Sequence, residues 1–106
     1  GKPVAAVCHG PAALIKAAEL QPGFLSGKRI TGFTNIEETL TLRADNIPYK
    51  LETRLKESGA DFRSAAFPFV SHVETDGLLI TGQNPLSAKP AAKALMAVLE
   101  TLAVTT

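Results

Sequence analysis

Residues 3–11 read Pro-Val-Ala-Ala-Val-Cys-His-Gly-Pro, a pattern that predicts both a fold class and a reactive group. The continuous apolar run over residues 3–7 is typical of a strand buried on both faces of a parallel sheet. Cys8 follows this run, with small residues two positions before and after it, Ala6 and Gly10. This spacing is that of a nucleophile elbow, a sharp strand-to-helix turn, with Cys in place of Ser.

An elbow at this point would place the Cys8 sulfur at the N-terminus of the next helix, where Pro11 suits the first turn. The backbone N–H groups at a helix N-terminus and the helix dipole favour a thiolate. The same amides, especially that of His9, are suited to stabilising an oxyanion. The alternative is a small buried Cys that happens to end a strand.

The rest of the chain alternates strand and helix patterns, which predicts an α/β fold with a largely parallel sheet. A mostly apolar helix is expected over residues 12–20, and a strand over 29–33. Thr34 or Asn35 is placed to cap a helical segment over 36–42, and Pro48 to begin an amphipathic helix containing Leu51 and Leu55. The remaining predictions are a strand over 61–66, a hairpin over 71–81 with an Asp76-Gly77 turn, and a final helix over 87–102 that buries Leu95, Met96, Val98 and Leu99.

Composition excludes several classes of protein. The 106 residues suffice for one domain, and 45% hydrophobic with 20% charged residues is ordinary for a soluble globular protein. The net charge is +1 and no basic block is present, so nucleic acid is not an expected partner. The apolar runs are too short for a membrane span. A single Cys and the absence of a signal peptide indicate the reducing cytoplasm.

Three stretches together resemble the ThiJ/PfpI superfamily, which is class I glutamine amidotransferase-like: residues 1–11, residues 28–35 (Lys-Arg-Ile-Thr-Gly-Phe-Thr-Asn) and residues 76–85 (Asp-Gly-Leu-Leu-Ile-Thr-Gly-Gln-Asn-Pro). They occur in the order and spacing of that superfamily and are most similar to its branch of heat-shock chaperones and glutathione-independent glyoxalases. The resemblance implies a flavodoxin-like three-layer α/β/α sandwich with a mostly parallel sheet.

The same resemblance implies a Cys-His-acid triad. In that branch the His directly after the Cys is the imidazole of the triad, here His9, and the acid by position is Glu38. The neighbouring Glu37 stays open as an alternative. A carboxylate in this role fixes the imidazole tautomer and stabilises its charged form. The competing interpretation is that Glu37 and Glu38 are solvated carboxylates of a first helical turn.

Three other features of the sequence have both a structural and a functional interpretation. His72 and Glu74 match the His-x-Glu pair of glutamine amidotransferases, but a hairpin strand would place them on one face for structural reasons alone. They are also too sparse for a metal site. Residues 82–85 form either an ordinary turn or, as the resemblance implies, a loop near the nucleophile. Phe62, Phe67 and Phe69 are expected to be core or interface aromatics.

Members of the resembling superfamily are considerably longer than this chain, which implies that residues 1–106 are the C-terminal half of a single domain. The first residue is not Met and a strand pattern begins at once, as at an internal cut. We therefore expect one of two situations. Either the N-terminal half is a separate chain and the partner of this one, or this chain is a truncated piece of the whole domain. As the resemblance implies, the N-terminal half would supply the first strands of the sheet, an acidic residue that forms a hydrogen bond with the nucleophile, and part of the oxyanion site. A homodimer of the assembled protein is also expected.

The leading functional hypothesis from the resemblance is glyoxalase III-like chemistry, of the D-lactate dehydratase type, on methylglyoxal or a related 2-oxoaldehyde. This chemistry requires no metal or organic cofactor. Two alternatives stay open: a cysteine peptidase or amidase using the same triad, and a stress-response chaperone whose thiol is a redox sensor. The same elbow serves several substrates, so sequence alone does not rank them.

Overall fold

The structure is a computed structural model that describes residues 2–41 and 50–105. Strands and helices alternate along much of these ranges. The strands are β1 (Val4–Val7), β2 (Arg29–Ile30), β3 (Asp61–Phe62), β4 (Val73–Asp76) and β5 (Leu79–Gly82). The helices are α1 (Ala12–Leu20), α2 (Asn35–Leu40), α3 (Leu51–Glu57) and α4 (Ala88–Thr105), the last preceded by a 3₁₀ turn (Pro85–Ser87).

The sheet is mostly parallel, as predicted. β1 runs parallel to β5, β2 runs parallel to β3, and β4 is joined to β5 as an antiparallel hairpin. Two polar contacts tie β2 and the residue after it to the hairpin: the Thr31 N–H donates to Thr81 Oγ1 at 2.9 Å, and the Arg29 N–H donates to the Asp76 carboxylate at 2.8 Å. The predicted α/β class is confirmed.

The hydrophobic core lies between the helices and the strands. Leu25, Ile30 and Leu55 have no exposed surface, and the apolar residues clustered with them are Leu14, Ile15, Phe33, Leu51 and Leu79. Leu51 and Leu55 are four residues apart on α3 and are both buried, which confirms the amphipathic pattern. This core joins α1, β2 and α3 to β5, and Cys8, directly after β1, packs against it.

The expectation that the first strand is buried on both faces was wrong for the described residues. Val4 is 50% exposed and Ala5 is also exposed, whereas Ala6 and Val7 are half-buried. The physical reason is that β1 pairs with β5 alone among the strands of the described ranges, although α4 packs against it. An apolar run indicates what a strand can bury, but the neighbours decide what it does bury.

The hairpin is present where it was predicted, but its turn lies one residue later than the predicted Asp76-Gly77 turn. Asp76 pairs with Leu79, so the two loop residues are Gly77 and Leu78. Gly77 has φ of +62°, which suits the first position of a two-residue hairpin loop. The Asp-Gly signal thus located the hairpin, while Asp76 itself remains in the strand and accepts the bond from Arg29.

Other boundaries also differ. The ladders of β2 and β3 are only two residues long, because the chain after them turns to other partners: the Phe33 N–H bonds to the elbow, the Ala65 N–H to Gln83 in the loop after β5, and the Phe69 N–H to Glu37 in α2. In α4, Leu95 and Val98 are half-buried, but Met96 and Leu99 are 55% and 41% exposed, so half of its predicted buried face was wrong. α4 packs against the hairpin and β1 along one side only. Leu42 and Pro48 lie outside the described residues.

Candidate active site

The chain makes its tight turn at Cys8, at the C-terminal end of β1. Cys8 has φ of +62°, a left-handed backbone conformation that is rare for residues other than Gly. Its N–H donates to the Gly82 carbonyl at 2.9 Å, and the Gly10 N–H donates to the Val7 carbonyl at 2.8 Å. A Cβ at Gly10 would meet that carbonyl oxygen at 3.0 Å, so a small residue is needed there. The elbow geometry predicted from the spacing is therefore present.

Cys8, His9 and Glu38 lie in contact in that order. Cys8 Sγ is 3.5 Å from His9 Nδ1, and His9 Nε2 makes a close contact with Glu38 Oε1. The His9 side chain is 43% exposed, whereas the Glu38 side chain has no exposed surface. A proton on Nε2 directed at the carboxylate leaves Nδ1 to face the sulfur. The arrangement is thus suited to taking a proton from the Cys8 thiol.

The structure brings Glu38, and not Glu37, to the imidazole. Both residues lie in the first turn of α2 and both are completely buried, so neither is the solvated carboxylate of the alternative interpretation. Thr34 begins α2 with a capping box: its side chain accepts from the Glu37 N–H, while the Glu37 side chain accepts from the Thr34 N–H. This cap sets the helix register that directs the two carboxylates to different partners.

A close approach of two backbone segments brings α2 to the elbow. The Phe33 N–H donates to the Cys8 carbonyl at 2.9 Å. A Cβ at Gly32 would meet the Leu51 side chain at 3.0 Å and the Cys8 carbonyl oxygen at 3.4 Å, which explains why the residue next to this bond is Gly. The start of α2, and with it Glu38, is therefore positioned by main-chain contact with the nucleophile turn.

Glu37 accepts four hydrogen bonds. Its Oε1 receives the N–H and the hydroxyl of Thr34, both at 3.0 Å, and its Oε2 receives the Phe69 N–H at 2.8 Å and Asn84 Nδ2 at 2.9 Å. Burial by itself raises the pKa of this carboxyl group. Hydrogen bonds from the Thr34 and Phe69 backbone, together with the side chains of the loop after β5, outweigh burial and hold the pKa of Glu37 below its ordinary value.

An aromatic row lies beside the imidazole. The ring of Phe33 is centred 4.6 Å from that of His9, and the ring of Phe69 meets Phe33 edge-on at 5.9 Å. Phe69 was predicted to be a core or interface aromatic, but no feature of the sequence indicated that its ring lies next to Phe33 near the imidazole. Phe62 is also partly buried against the core, while Phe67 is 72% exposed.

The loop over residues 82–85 lies near the nucleophile. Gly82 bonds to Cys8, Asn84 bonds to Glu37, and Gln83 Oε1 accepts from the Ala65 N–H at 2.8 Å. Gln83 and Asn84 are both buried. Of the two interpretations of this loop, the structure supports the one that places it near the nucleophile.

His72 and Glu74 form a separate pair. His72 Nε2 is 2.7 Å from Glu74 Oε2, and both side chains are partly buried. They lie at the start of β4, and β5 separates this strand from β1 in the sheet. The two residues therefore share a face, as the hairpin pattern predicts, but the triad contacts described above do not include them.

A cavity of about 90 Å³ opens beside α2 and is lined by polar and apolar groups, including Thr34 at the start of α2, Ala65 and Phe67 in the segment after β3, and Gln83 after β5. Cys8 and His9 do not line it. Within residues 2–41 and 50–105, no group of three or more His, Cys, Asp or Glu side chains is placed to hold a metal ion. No helix in the described part of the chain is both long and apolar enough to cross a membrane.

Comparisons with known families, proteins and structures all indicate the same family. The model of the DJ-1/PfpI family matches residues 1–98. The chain is 40% identical over 95 residues to the glutathione-independent glyoxalase HSP31 of Saccharomyces cerevisiae, covering 83% of this chain and 40% of that protein.

Solved structures are also similar to it, and two of them illustrate the match. The Rapid Encystment Protein 24 KDa of Francisella tularensis superposes with a TM-score of 0.85 at 40% identity, over 92% of this chain and 43% of the other. Glyoxalase III of Candida albicans gives a TM-score of 0.79 at 32% identity, over 92% and 44%. The chain therefore spans less than half the length of these proteins. Their folds confirm the flavodoxin-like α/β class.

Proposed function

The chain belongs to the DJ-1/PfpI family, and from this premise we propose that it carries the catalytic groups of a glutathione-independent glyoxalase. The observation that carries the proposal is the row of contacts from Cys8 Sγ through His9 to Glu38. Two of the similar proteins are named as glyoxalases: a glutathione-independent glyoxalase from Saccharomyces cerevisiae and glyoxalase III from Candida albicans. The substrate class is a small 2-oxoaldehyde such as methylglyoxal.

In the proposed mechanism, His9 accepts the thiol proton, and the Cys8 thiolate adds to the aldehyde carbon. Protonation of the resulting oxyanion gives a hemithioacetal, and the His9 amide is a candidate donor to that oxyanion. His9 then moves a proton from the former aldehyde carbon to the neighbouring carbon through an enediol-like state. The product is a thioester of a 2-hydroxy acid.

Water hydrolyses this thioester, releasing the hydroxy acid and restoring the thiol. One carbon of the substrate is oxidised and its neighbour is reduced, so the overall reaction consumes only water. Glu38 holds the Nε2 proton and stabilises the imidazolium that forms when His9 accepts a proton. The chemistry keeps Cys8 as a thiol, so we propose a reducing compartment, the cytoplasm.

A substrate panel tests the proposal. The native protein is incubated without glutathione with methylglyoxal and with phenylglyoxal, and separately with peptides and with simple amides. We expect 2-hydroxy acid to appear from the two oxoaldehydes, and no amine or ammonia to be released from the others. Release of ammonia or amine without hydroxy acid would assign the same three residues to an amidase or peptidase.

The working unit is proposed to include a further polypeptide, the N-terminal half of the same domain as a separate chain, and to form a homodimer. Support comes from the edge of β1 opposite β5, which pairs with no strand of residues 2–41 and 50–105 and carries the half-exposed Val4, and from the exposed Met96 and Leu99 on α4. Edges and apolar faces of this kind are normally covered. The chain also spans only 40–44% of the length of the relatives described above.

Native and denaturing mass measurements of the purified active protein test this partnership. We expect the denatured sample to contain a companion polypeptide, and the native mass to equal two copies of each. A native sample that contains this chain alone and turns over methylglyoxal at the rate of intact family members would contradict it.

A further inference from the structure

Glu37 has no role in the mechanism above, yet it is a fully buried carboxylate that is adjacent to Glu38. Its four hydrogen bonds come from three separate parts of the chain: the cap of α2, the segment before β4 and the loop after β5. A buried carboxylate with all its partners in place is strongly held, because losing any one of them leaves a charge or a donor without a partner. Glu37 therefore joins three segments that meet beside the triad.

One of these bonds holds a strained residue. Phe69 has φ of +59°, a left-handed backbone conformation that is strained for a non-Gly residue. Such a conformation persists only when surrounding contacts impose it. The contact at hand is the 2.8 Å bond from the Phe69 N–H to Glu37 Oε2, together with the bond from Asn84 Nδ2 to the Val70 carbonyl at 2.8 Å.

The strained backbone holds the Phe69 ring in an edge-on contact with the Phe33 ring, and the Phe33 ring in turn lies 4.6 Å from the His9 ring. The His9 side chain is 43% exposed, so few neighbours fix its ring orientation: Cys8 Sγ at Nδ1, the Glu38 carboxylate at Nε2 and Phe33 beside the ring. We propose that Glu37 is a positioning residue, which acts through Phe69 and Phe33 to hold the His9 imidazole between Cys8 and Glu38.

This inference rests on the proposed function for its kinetic readout, but a second readout is independent of the substrate. A Glu37→Gln substitution keeps the shape of the side chain and replaces one acceptor oxygen by an NH₂ group. That NH₂ would face donors on either side, the Thr34 N–H or the Phe69 N–H. Asn84 cannot relieve the conflict by turning its amide, because Nδ2 also donates to Val70 and Oδ1 accepts from Ser87.

The first measurement is the rate of Cys8 alkylation by iodoacetamide as a function of pH, made on the assembled protein. We expect Glu37→Gln to move the midpoint of this profile upward and to slow alkylation at neutral pH, because a displaced imidazole no longer stabilises the thiolate. A residue that served stability alone would lower the amount of reactive protein without moving the midpoint. Glu57→Gln, at an exposed carboxylate on α3, is the matched control.

The second measurement is steady-state turnover of methylglyoxal. We expect kcat to fall about tenfold to a hundredfold in Glu37→Gln, with KM nearly unchanged, because small displacements of catalytic groups act on the chemical step. Phe69→Leu keeps the backbone N–H that binds Glu37 but removes the ring edge. We expect Phe69→Leu to lower kcat by a similar factor. The double variant should lose little more of its kcat than Glu37→Gln alone, since both changes act on the same series of contacts.

An unchanged alkylation midpoint in a folded Glu37→Gln protein, or fully additive losses in the double variant, would overturn the proposal. If Glu37→Gln does not fold, Phe69→Leu decides the question, and an alkylation profile identical to that of the wild type would overturn it. If methylglyoxal is not turned over at all, the proposed function fails, and the alkylation profiles still test the role of Glu37.

Discussion

The Cys8→Ala variant is expected to lose turnover of methylglyoxal by at least about 10⁴-fold, since removal of a nucleophile leaves only binding and oxyanion contributions. No other side chain in the proposed mechanism forms a covalent bond to the substrate. The assay is hydroxy acid production by the assembled protein, with thermal unfolding measured alongside. The unfolding midpoint should change little, because Ala at φ of +62° bears about the same backbone strain as Cys.

Cys8→Ser provides the sharper comparison. It preserves the shape of the side chain and its distance from His9 Nδ1, 3.5 Å in the native chain, but a hydroxyl is far less readily ionised than a thiol. We expect it to be almost as inactive as Cys8→Ala. Turnover retained by both variants would exclude the thiolate mechanism. Suppression of aggregation of a client protein that survives in both would instead favour the chaperone alternative.

Glu38→Gln is expected to lower kcat on the order of 10⁴-fold, the loss that follows when the carboxylate of a Ser-His-Asp triad is replaced by its amide. An amide can present its NH₂ group to His9 Nε2, which favours the tautomer with its proton on Nδ1, facing the sulfur. That tautomer cannot accept the Cys8 proton. The measurement is the pH dependence of kcat and kcat/KM, compared with the alkylation profile of Cys8.

Glu37→Gln is the matched control for Glu38→Gln, since the two residues are neighbours, equally buried and on one short helix. The change at Glu38 should cost far more per folded molecule, because Glu38 touches the imidazole and Glu37 acts through two intermediate rings. A larger loss at Glu37 would mean that Glu37 is the acid of the triad.

The elbow was predictable from the sequence because its requirements are local. A strand pattern, a Cys and small residues at two fixed offsets suffice: Cys8 takes the left-handed conformation of an elbow, and a Cβ at Gly10 would come within 3.0 Å of the Val7 carbonyl oxygen. The pairing of His9 with Glu38 could not be derived in this way. It came from resemblance, because the two residues are brought together by a contact between Phe33 and Cys8 that leaves no periodic signal.

The other differences between the sequence-based predictions and the structure also arise from contacts between residues that are distant in the sequence. The exposure of Val4 and Met96 and the fourfold bonding of Glu37 are all properties of what lies next to a residue in space. An apolar run, a helical stripe and a pair of first-turn carboxylates look the same in sequence whether or not those neighbours exist. The role of Phe69 is the clearest case, because its left-handed backbone is imposed by a residue 32 positions away.

The order of the triad along the chain also bears on how activity would be lost. The thiol and the imidazole belong to consecutive residues, so the motions that separate them are limited to a few bond rotations. The carboxylate, by contrast, belongs to a helix of six residues, Asn35–Leu40, which is too short to persist without its cap and its tertiary contacts. Local opening of that one helix, at a free energy below that of global unfolding, would detach Glu38 and leave the sulfur in place. Amide hydrogen exchange in this helix would then measure how often Glu38 is separated from His9 while the rest of the fold stays intact.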